Sequence, residues 1–224
     1  MTALVSGGKD SVLALWIALH QFKVTSILTV RSFCPESPLF HIPNSQYVDL
    51  MAEMLEISHM IIQIDSCNIE DEVNSLKEAL VNSSAQAIIT GGIRSEFQRY
   101  KFNRAAKLAN MRCFNPLWRI SPKYLLSELL TNKFSIIITS VSSMGLGREL
   151  LGRKYSPEIL ETLNKHGSDL SLVGEGGEFE TFVLDAPFFP ARIKILESKV
   201  HWDEHRQDGY YEIIKAESKP KQFL

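Results

Sequence analysis

The sequence predicts an α/β protein, with a mostly parallel, doubly wound sheet followed by a smaller α+β C-terminal domain. Three observations lead there. Short β-branched, apolar runs alternate with amphipathic stretches over the first two-thirds of the 224 residues, the pattern of strand–helix–strand units in a parallel sheet. The last third changes to several strand-like runs and one helix. Apolar residues make up 45% and charged residues 22%, a globular balance that excludes collagen-like, disordered and coiled-coil chains.

Each element has its own signal. Ala3-Leu4-Val5 is a short strand. Ser11 to Gln21 carries the apolar stripe of a helix. Val24 to Val30 and Met60 to Ile64 read as strands covered on both faces. Between them Ser45 caps a helix with Val48, Met51, Met54 and Leu55 on one side. Ile69, Val73, Leu76 and Leu80 recur at helical spacing, with acidic residues in the first turn where the helix dipole favours them. Ala87 to Thr90 is a fourth strand, Ser95 to Asn110 a basic helix, and Ser121-Pro122 opens a helix from Lys123 to Asn132 with a cap and then proline. Phe134 to Val141 is the fifth strand of the alternation. Beyond it come a helix from Ser156-Pro157 to Gly167 and strand-like runs at Leu170 to Glu175, Phe179 to Leu184, Arg192 to Val200 and Tyr210 to Ala216. Asp208-Gly209 is a hairpin turn signal, and the charged tail from Lys215 onward is expected to fray. The expected domains are 1–125, carrying the first sheet, and 126–224.

Lys+Arg is 24 and Asp+Glu is 26, so the net charge is 24 − 26 = −2. That argues against a globally basic nucleic-acid binder, and an anionic substrate must be held by local charge. The longest uncharged apolar run, Val12 to Leu19, is eight residues, well short of the roughly 18 of a membrane span. The first residues carry no basic segment of a signal peptide, and the expected location is cytoplasmic. Cys34, Cys67 and Cys113 are widely spaced, with no C-x-x-C, so three reduced thiols are expected and a zinc ribbon or dithiol centre is not.

Ser6-Gly7-Gly8-Lys9-Asp10-Ser11 follows the first strand and opens the first helix. Two glycines let backbone approach an anion, the helix start offers N–H groups and positive dipole, Lys9 adds a cation, and Ser6 and Ser11 add hydroxyls. It is not G-x-x-x-x-G-K-[ST], because the earlier glycine is missing and an acid follows the lysine. Thr90 to Arg99, TGGIRSEFQR, follows the fourth strand. Its Gly91-Gly92 suits close approach of a nucleotide, and Arg94 and Arg99 suit phosphate or solvent equally. Val173 to Pro187, VGEGGEFETFVLDAP, interleaves three glycines with three glutamates ahead of an apolar strand. Glu175, Glu178 and Glu180 suit a cation, an amine or proton transfer, and they equally suit a solvated hairpin turn.

The Ser6–Ser11 loop resembles the S-G-G-x-D-[ST] loop of the ATP pyrophosphatase superfamily, which cleaves ATP between the α and β phosphates. The resemblance implies the fold of PP-loop ATPases and adenine nucleotide alpha hydrolases. With GGIRSEFQR, Asn115-Pro116-Leu117-Trp118, Gly145-Leu146-Gly147, Leu151-Gly152-Arg153 and GEGGEFETFVLDAP, the chain resembles the diphthine–ammonia ligase family over nearly its whole length. Two departures stand out: Phe97 replaces the family's usual tyrosine, and Tyr100-Lys101 replaces its usual Arg-Glu.

That resemblance implies amidation of diphthine on translation elongation factor 2 through an acyl-adenylate, with ATP, Mg²⁺ and ammonium as reactants and cofactor. It implies nucleotide binding by Ser6, Gly7, Gly8, Lys9, Asp10, Ser11, Gly91 and Gly92, with Asp10 also placing Mg²⁺ or ordering the loop. Catalysis is assigned to Lys9, Asp10 and Glu178, and the substrate side to Arg94, Ser95, Gln98, Glu175, Gly176, Gly177, Glu178 and Glu180. No nucleic acid or membrane is expected as a partner, and a homodimer stays open. The alternatives are a related pyrophosphatase acting on tRNA or a small carboxylate, an ATP-binding sensor without turnover, and a docking protein with a degenerate site. The absence of paired cysteines and of an RNA-binding appendage weighs against a thiolating relative.

Overall fold

A computed structural model describes residues 1–32, 44–143, 146–165 and 171–221. The chain divides into two compact units, Met1–Arg119 and Ile120–Leu224. The expected division at 125/126 falls inside a helix that belongs wholly to the second.

The first unit is built on β1 (Thr2–Leu4), α1 (Lys9–Leu19), β2 (Ser26–Ser32), α2 (Val48–Met54), β3 (Ser58–Ile64), α3 (Ile69–Asn82), β4 (Ala87–Ile89), α4 (Glu96–Leu108) and β5 (Arg112–Phe114). Its five strands are parallel in the order β3-β2-β1-β4-β5. The chain thus winds outward from β1 in one direction, returns, and winds outward in the other. Right-handed crossovers then put α1 and α2 on one face and α3 and α4 on the opposite face. Leu28, Val30, Ile64, Leu76, Ile88 and Phe102 pack on the α3–α4 side. On α1, Val12, Leu13, Leu15 and Ala18 are buried. The crevice between the diverging crossovers lies at the carboxyl ends of β1 and β4, where ligands of such sheets bind.

The second unit contains α5 (Pro122–Thr131), β6 (Ser135–Val141), α6 (Pro157–Lys165), β7 (Phe179–Asp185), β8 (Ala191–Asp203) and β9 (Asp208–Pro220). Its sheet is antiparallel, in the order β7-β6-β9-β8. Phe182, Val183, Ile138 and Val141 are among its most buried side chains.

The parallel α/β sheet and the smaller α+β unit are as the sequence predicts, with differences in detail. The fifth parallel strand is β5, and β6 belongs to the antiparallel sheet. A three-residue strand carries too little pattern to register, whereas β6 has the apolar run of a buried strand in either setting. Ser171 to Glu175 forms turns, because the glycines and Glu178 organise it as a loop. Asp208-Gly209 begins β9. The hairpin turn is the preceding four residues, Glu204 to Gln207, where Gln207 takes φ 55° and the Asp203 carboxylate accepts N–H bonds from His205 and Arg206 at 2.8 and 3.0 Å. The expected frayed tail is strand through Pro220, paired with Ala191. Cys67 is disulfide-bonded, contrary to the expected reduced thiol, and its partner lies outside the described residues, as do Cys34, Gly145 and Gly167. Among the described residues no helix is long and apolar enough to cross a membrane.

Candidate active site

The Ser6–Ser11 loop is tied together by its own two hydroxyls. Ser11 Oγ donates to Gly8 O at 3.0 Å and accepts from Ser6 N at 3.2 Å. Ser6 Oγ accepts from Gly8 N at 3.3 Å and lies 3.1 Å from Ser11 Oγ. With the Ser11 proton committed to Gly8 O, the Ser6 hydroxyl is the donor in the last contact. The serines therefore act within the loop, holding its backbone in a closed bend. Gly7 supplies the left-handed turn, at φ 88°. Gly8 is the extended N-cap of α1 and makes no side-chain cap bond. The opening turn of any α-helix has N–H groups without intrahelical acceptors, and its positive dipole end favours an anion there.

Lys9 is 3% exposed. Its Nζ lies 2.9 Å from Asp10 Oδ2. Burial pushes the Asp10 carboxyl above the usual carboxylate range, while the Lys9 charge and hydrogen bond pull it back. The other carboxylate oxygen, Oδ1, is buried and accepts no hydrogen bond among the described residues. A buried carboxylate oxygen without a hydrogen-bond partner has the chemistry of a ligand for a hard divalent cation.

Gly91 is brought directly against this loop. A Cβ on it would lie 2.7 Å from the Asp10 carbonyl carbon and from Ser11 N. Glycine here is a requirement of packing, since its φ is not left-handed. Gly92 has open space around its Cβ position. Downstream, Ile93 is buried and Arg94 exposed. Ser95 is the N-cap of α4, its hydroxyl accepting from Gln98 N at 3.2 Å. Arg99 pairs with Glu96 at 2.8 Å and lies 4.5 Å over the Trp118 ring. Asn115 accepts from the Thr90 hydroxyl, and Arg119 N donates to Ile93 O at 2.8 Å. The Asn115–Trp118 segment is thus the brace of the β4 turn, a part that its sequence alone leaves unassigned.

In the second unit, Ser171 to Glu178 form a closed loop. Glu178 Oε1 accepts from Ser171 N at 3.0 Å and Oε2 from Gly176 N at 2.8 Å. Ser171 Oγ accepts from Glu175 N at 3.3 Å. Ser142 N donates to Glu178 O at 3.0 Å, and the Ser142 hydroxyl donates to Gly177 O. Gly174 and Gly177 take φ of 71° and 79°. At Gly174 a Cβ would also meet Phe179 O at 2.7 Å. Glu175, Gly176, Gly177 and Glu178 therefore share one hydrogen-bonded turn, and Glu180 follows on β7 opposite Ser140.

The strand order and the glycine-rich turn after β1 define the class: a doubly wound α/β protein with a glycine-rich loop at its topological switch point. Family models narrow it further. The diphthamide synthase N-terminal domain matches residues 1–113 and the diphthamide synthase C-terminal domain matches residues 121–218. The chain belongs to the diphthamide synthase family. Among curated proteins it is similar to the diphthine–ammonia ligase of Mus musculus, with 28% identity over 225 residues, 89% of this chain and 84% of that protein. The Homo sapiens protein of the same name is 27% identical over 226 residues, with 89% and 84% covered. The one from Danio rerio is 27% identical over 231 residues, with 91% and 90% covered.

Proposed function

We propose that this protein is a diphthine–ammonia ligase, using ATP to convert the carboxylate of diphthine on translation elongation factor 2 into the amide diphthamide. The observation that carries the reading is the match of both family domains across a chain whose first unit presents a self-braced anion loop at its switch point.

The chemistry sets what the site must do. A carboxylate is a poor acyl donor because its oxygen does not leave. Joining it to the α-phosphate of ATP makes AMP the leaving group and releases pyrophosphate; ammonia then attacks the acyl carbon and AMP departs. In this reading Ser6 to Ser11 bind the pyrophosphate portion through backbone N–H groups and the α1 dipole. Lys9 adds buried positive charge that offsets the charge accumulating on the departing pyrophosphate. Gly91 supports the loop from behind, and Gly92 leaves room for the nucleotide. A Mg²⁺ ion would be held by Asp10, through Oδ1, and would screen the triphosphate charge. Arg94, Ser95 and Gln98 belong to the substrate side in this scheme. Glu175, Glu178 and Glu180 supply negative charge suited to the trimethylammonio group of diphthine or to an ammonium that must give up a proton. The cytoplasm is the location this reading expects.

The test is release of AMP and pyrophosphate from ATP, Mg²⁺ and ammonium, with and without elongation factor 2 bearing diphthine. Release that requires the factor is expected. Release indifferent to the factor would point to another acceptor, and retention of ATP without AMP under every condition would point to a sensor.

A further inference from the structure

Behind the nucleotide loop, on the α2 side of the sheet, a chain of polar side chains runs from the surface to the last residue before Ser6. Asp49 on α2 places Oδ1 2.8 Å from His59 Nδ1. His59 on β3 places Nε2 2.8 Å from Thr29 Oγ1 on β2. Thr29 Oγ1 donates to Val5 O at 2.9 Å. Thr29 is 0% exposed, and Arg31 on β2 pairs with the other Asp49 oxygen at 2.9 Å. The register explains the meeting. His59 pairs with Ile27, and alternation puts residues 27 and 29 of β2 on the same face.

Proton accounting makes this chain more than a buried polar cluster. An ionised carboxylate only accepts, so His59 carries a proton on Nδ1. The Thr29 hydroxyl has one proton and two acceptors in reach. If His59 is neutral, its bare Nε2 competes with Val5 O for that proton. If His59 is an imidazolium, Nε2–H donates to Thr29, the hydroxyl is committed to Val5 O, and all three contacts are satisfied. Val5 O lies in the same planar peptide as Ser6 N, and Ser6 N is the donor that anchors the loop to Ser11 Oγ at 3.2 Å. Orienting that carbonyl therefore orients the first amide of the loop.

We propose that Asp49, His59 and Thr29 are positioning residues that couple proton uptake at His59 to the set of the Ser6–Ser11 loop, and hence to ATP binding. The inference rests on the reading of that loop as the ATP site. The charged groups facing His59 are Asp49 from α2, which favours the imidazolium, and Arg31 from its own sheet, which opposes it. Burial, with Arg31 acting in the same direction, outweighs Asp49 and holds His59 below the usual imidazole range, so at neutral pH the relay is poised in its neutral, contested state and completes on acidification.

Reciprocity supplies the test: if protonation favours ATP binding, ATP binding raises the titration midpoint of His59 by an equivalent amount. The His59 ring is titrated by NMR with and without ATP in the wild-type protein and in Thr29→Val. His59→Gln provides a second variant, because its amide donates to Thr29 at every pH. An upward shift of about half a pH unit, equal to about a threefold change in affinity, is expected in the wild type and is lost in Thr29→Val. In His59→Gln the pH profile of ATP affinity no longer shows the step that His59 gives the wild type, and a step that persists there would overturn the relay. ATP binding with an unmoved His59 midpoint, or an equal shift in Thr29→Val, would overturn the relay while leaving the nucleotide site intact. Failure to bind ATP at any pH would overturn the nucleotide site and the relay with it.

Discussion

Replacing Gly91 by alanine tests how the nucleotide loop is held. The added methyl carbon would lie 2.7 Å from the Asp10 carbonyl carbon and Ser11 N and 2.8 Å from Asp10 O. Non-bonded carbons settle at about 3.5–4.0 Å, so something must retreat by roughly 0.8 Å, the difference between 3.5 and 2.7. All three obstructing atoms are backbone at the start of α1, and none can swing aside as a flexible side-chain tip would. Overpacking of this kind costs about 1–3 kcal/mol. A displacement approaching 1 Å at a reacting geometry costs on the order of 100-fold in rate. Gly91→Ala is therefore expected to lower the thermal midpoint and to reduce kcat/KM for ATP, followed by AMP release, by up to about 100-fold. Gly92→Ala is the control. Nothing lies within 4 Å of its Cβ position, so the unliganded protein should melt as wild type does. A Gly91→Ala protein with unchanged melting and kcat/KM within about twofold of wild type would show that Gly91 does not hold the loop in place.

Other perturbations follow from the same geometry. The Asp10 carboxyl is raised, so the folded protein binds its proton more tightly than the unfolded chain does; stability is greatest below the unfolded carboxyl range and falls as pH rises through the folded one. Asp10→Asn, which resembles the protonated acid, should match wild type in acid and melt no lower than wild type at neutral pH while losing AMP release; a lower neutral midpoint would contradict this. Glu178→Gln turns an amide NH₂ toward either Ser171 N or Gly176 N, leaving a donor unsatisfied at a cost of about 1–3 kcal/mol. Faster amide exchange in the 171–178 loop and slower amide formation at saturating ammonium are expected; unchanged amide formation would remove Glu178 from catalysis. Burial pushes the Cys113 thiol up to about 11, so about one molecule in 1,000 carries the thiolate at pH 8, and its alkylation rate should still be climbing at pH 10.

The sequence makes the fold legible where patterns are long and flanked by signals. β2 and β3 pair along seven residues, and α3, α4 and α5 begin after Asn68, Ser95 and Ser121, residues of the kind that cap helices. It is weakest where an element is short or its pattern is shared. β5 is three residues, and its place in the sheet is given by its neighbour β4 rather than by its own composition. β6 reads equally well as parallel or antiparallel. The positions of the candidate site residues are legible in part. Glycines and a lysine after a strand point to the Ser6–Ser11 loop, but only the fold puts Gly91 against it and occupies the Ser6 and Ser11 hydroxyls inside it. Nothing in the local sequence around Thr29, Asp49 or His59 marks them as partners, because they come from three elements and meet only through the register of β2 with β3.

The most direct test of the central claim is a single-turnover reaction on diphthine-bearing elongation factor 2, with ATP, Mg²⁺ and ammonium, followed by mass spectrometry of the modified residue beside quantification of pyrophosphate. Conversion of the carboxylate to the amide, with one pyrophosphate released per amide formed and none without the factor, is the predicted result. An unchanged carboxylate, despite ATP bound to an intact protein, would contradict the account.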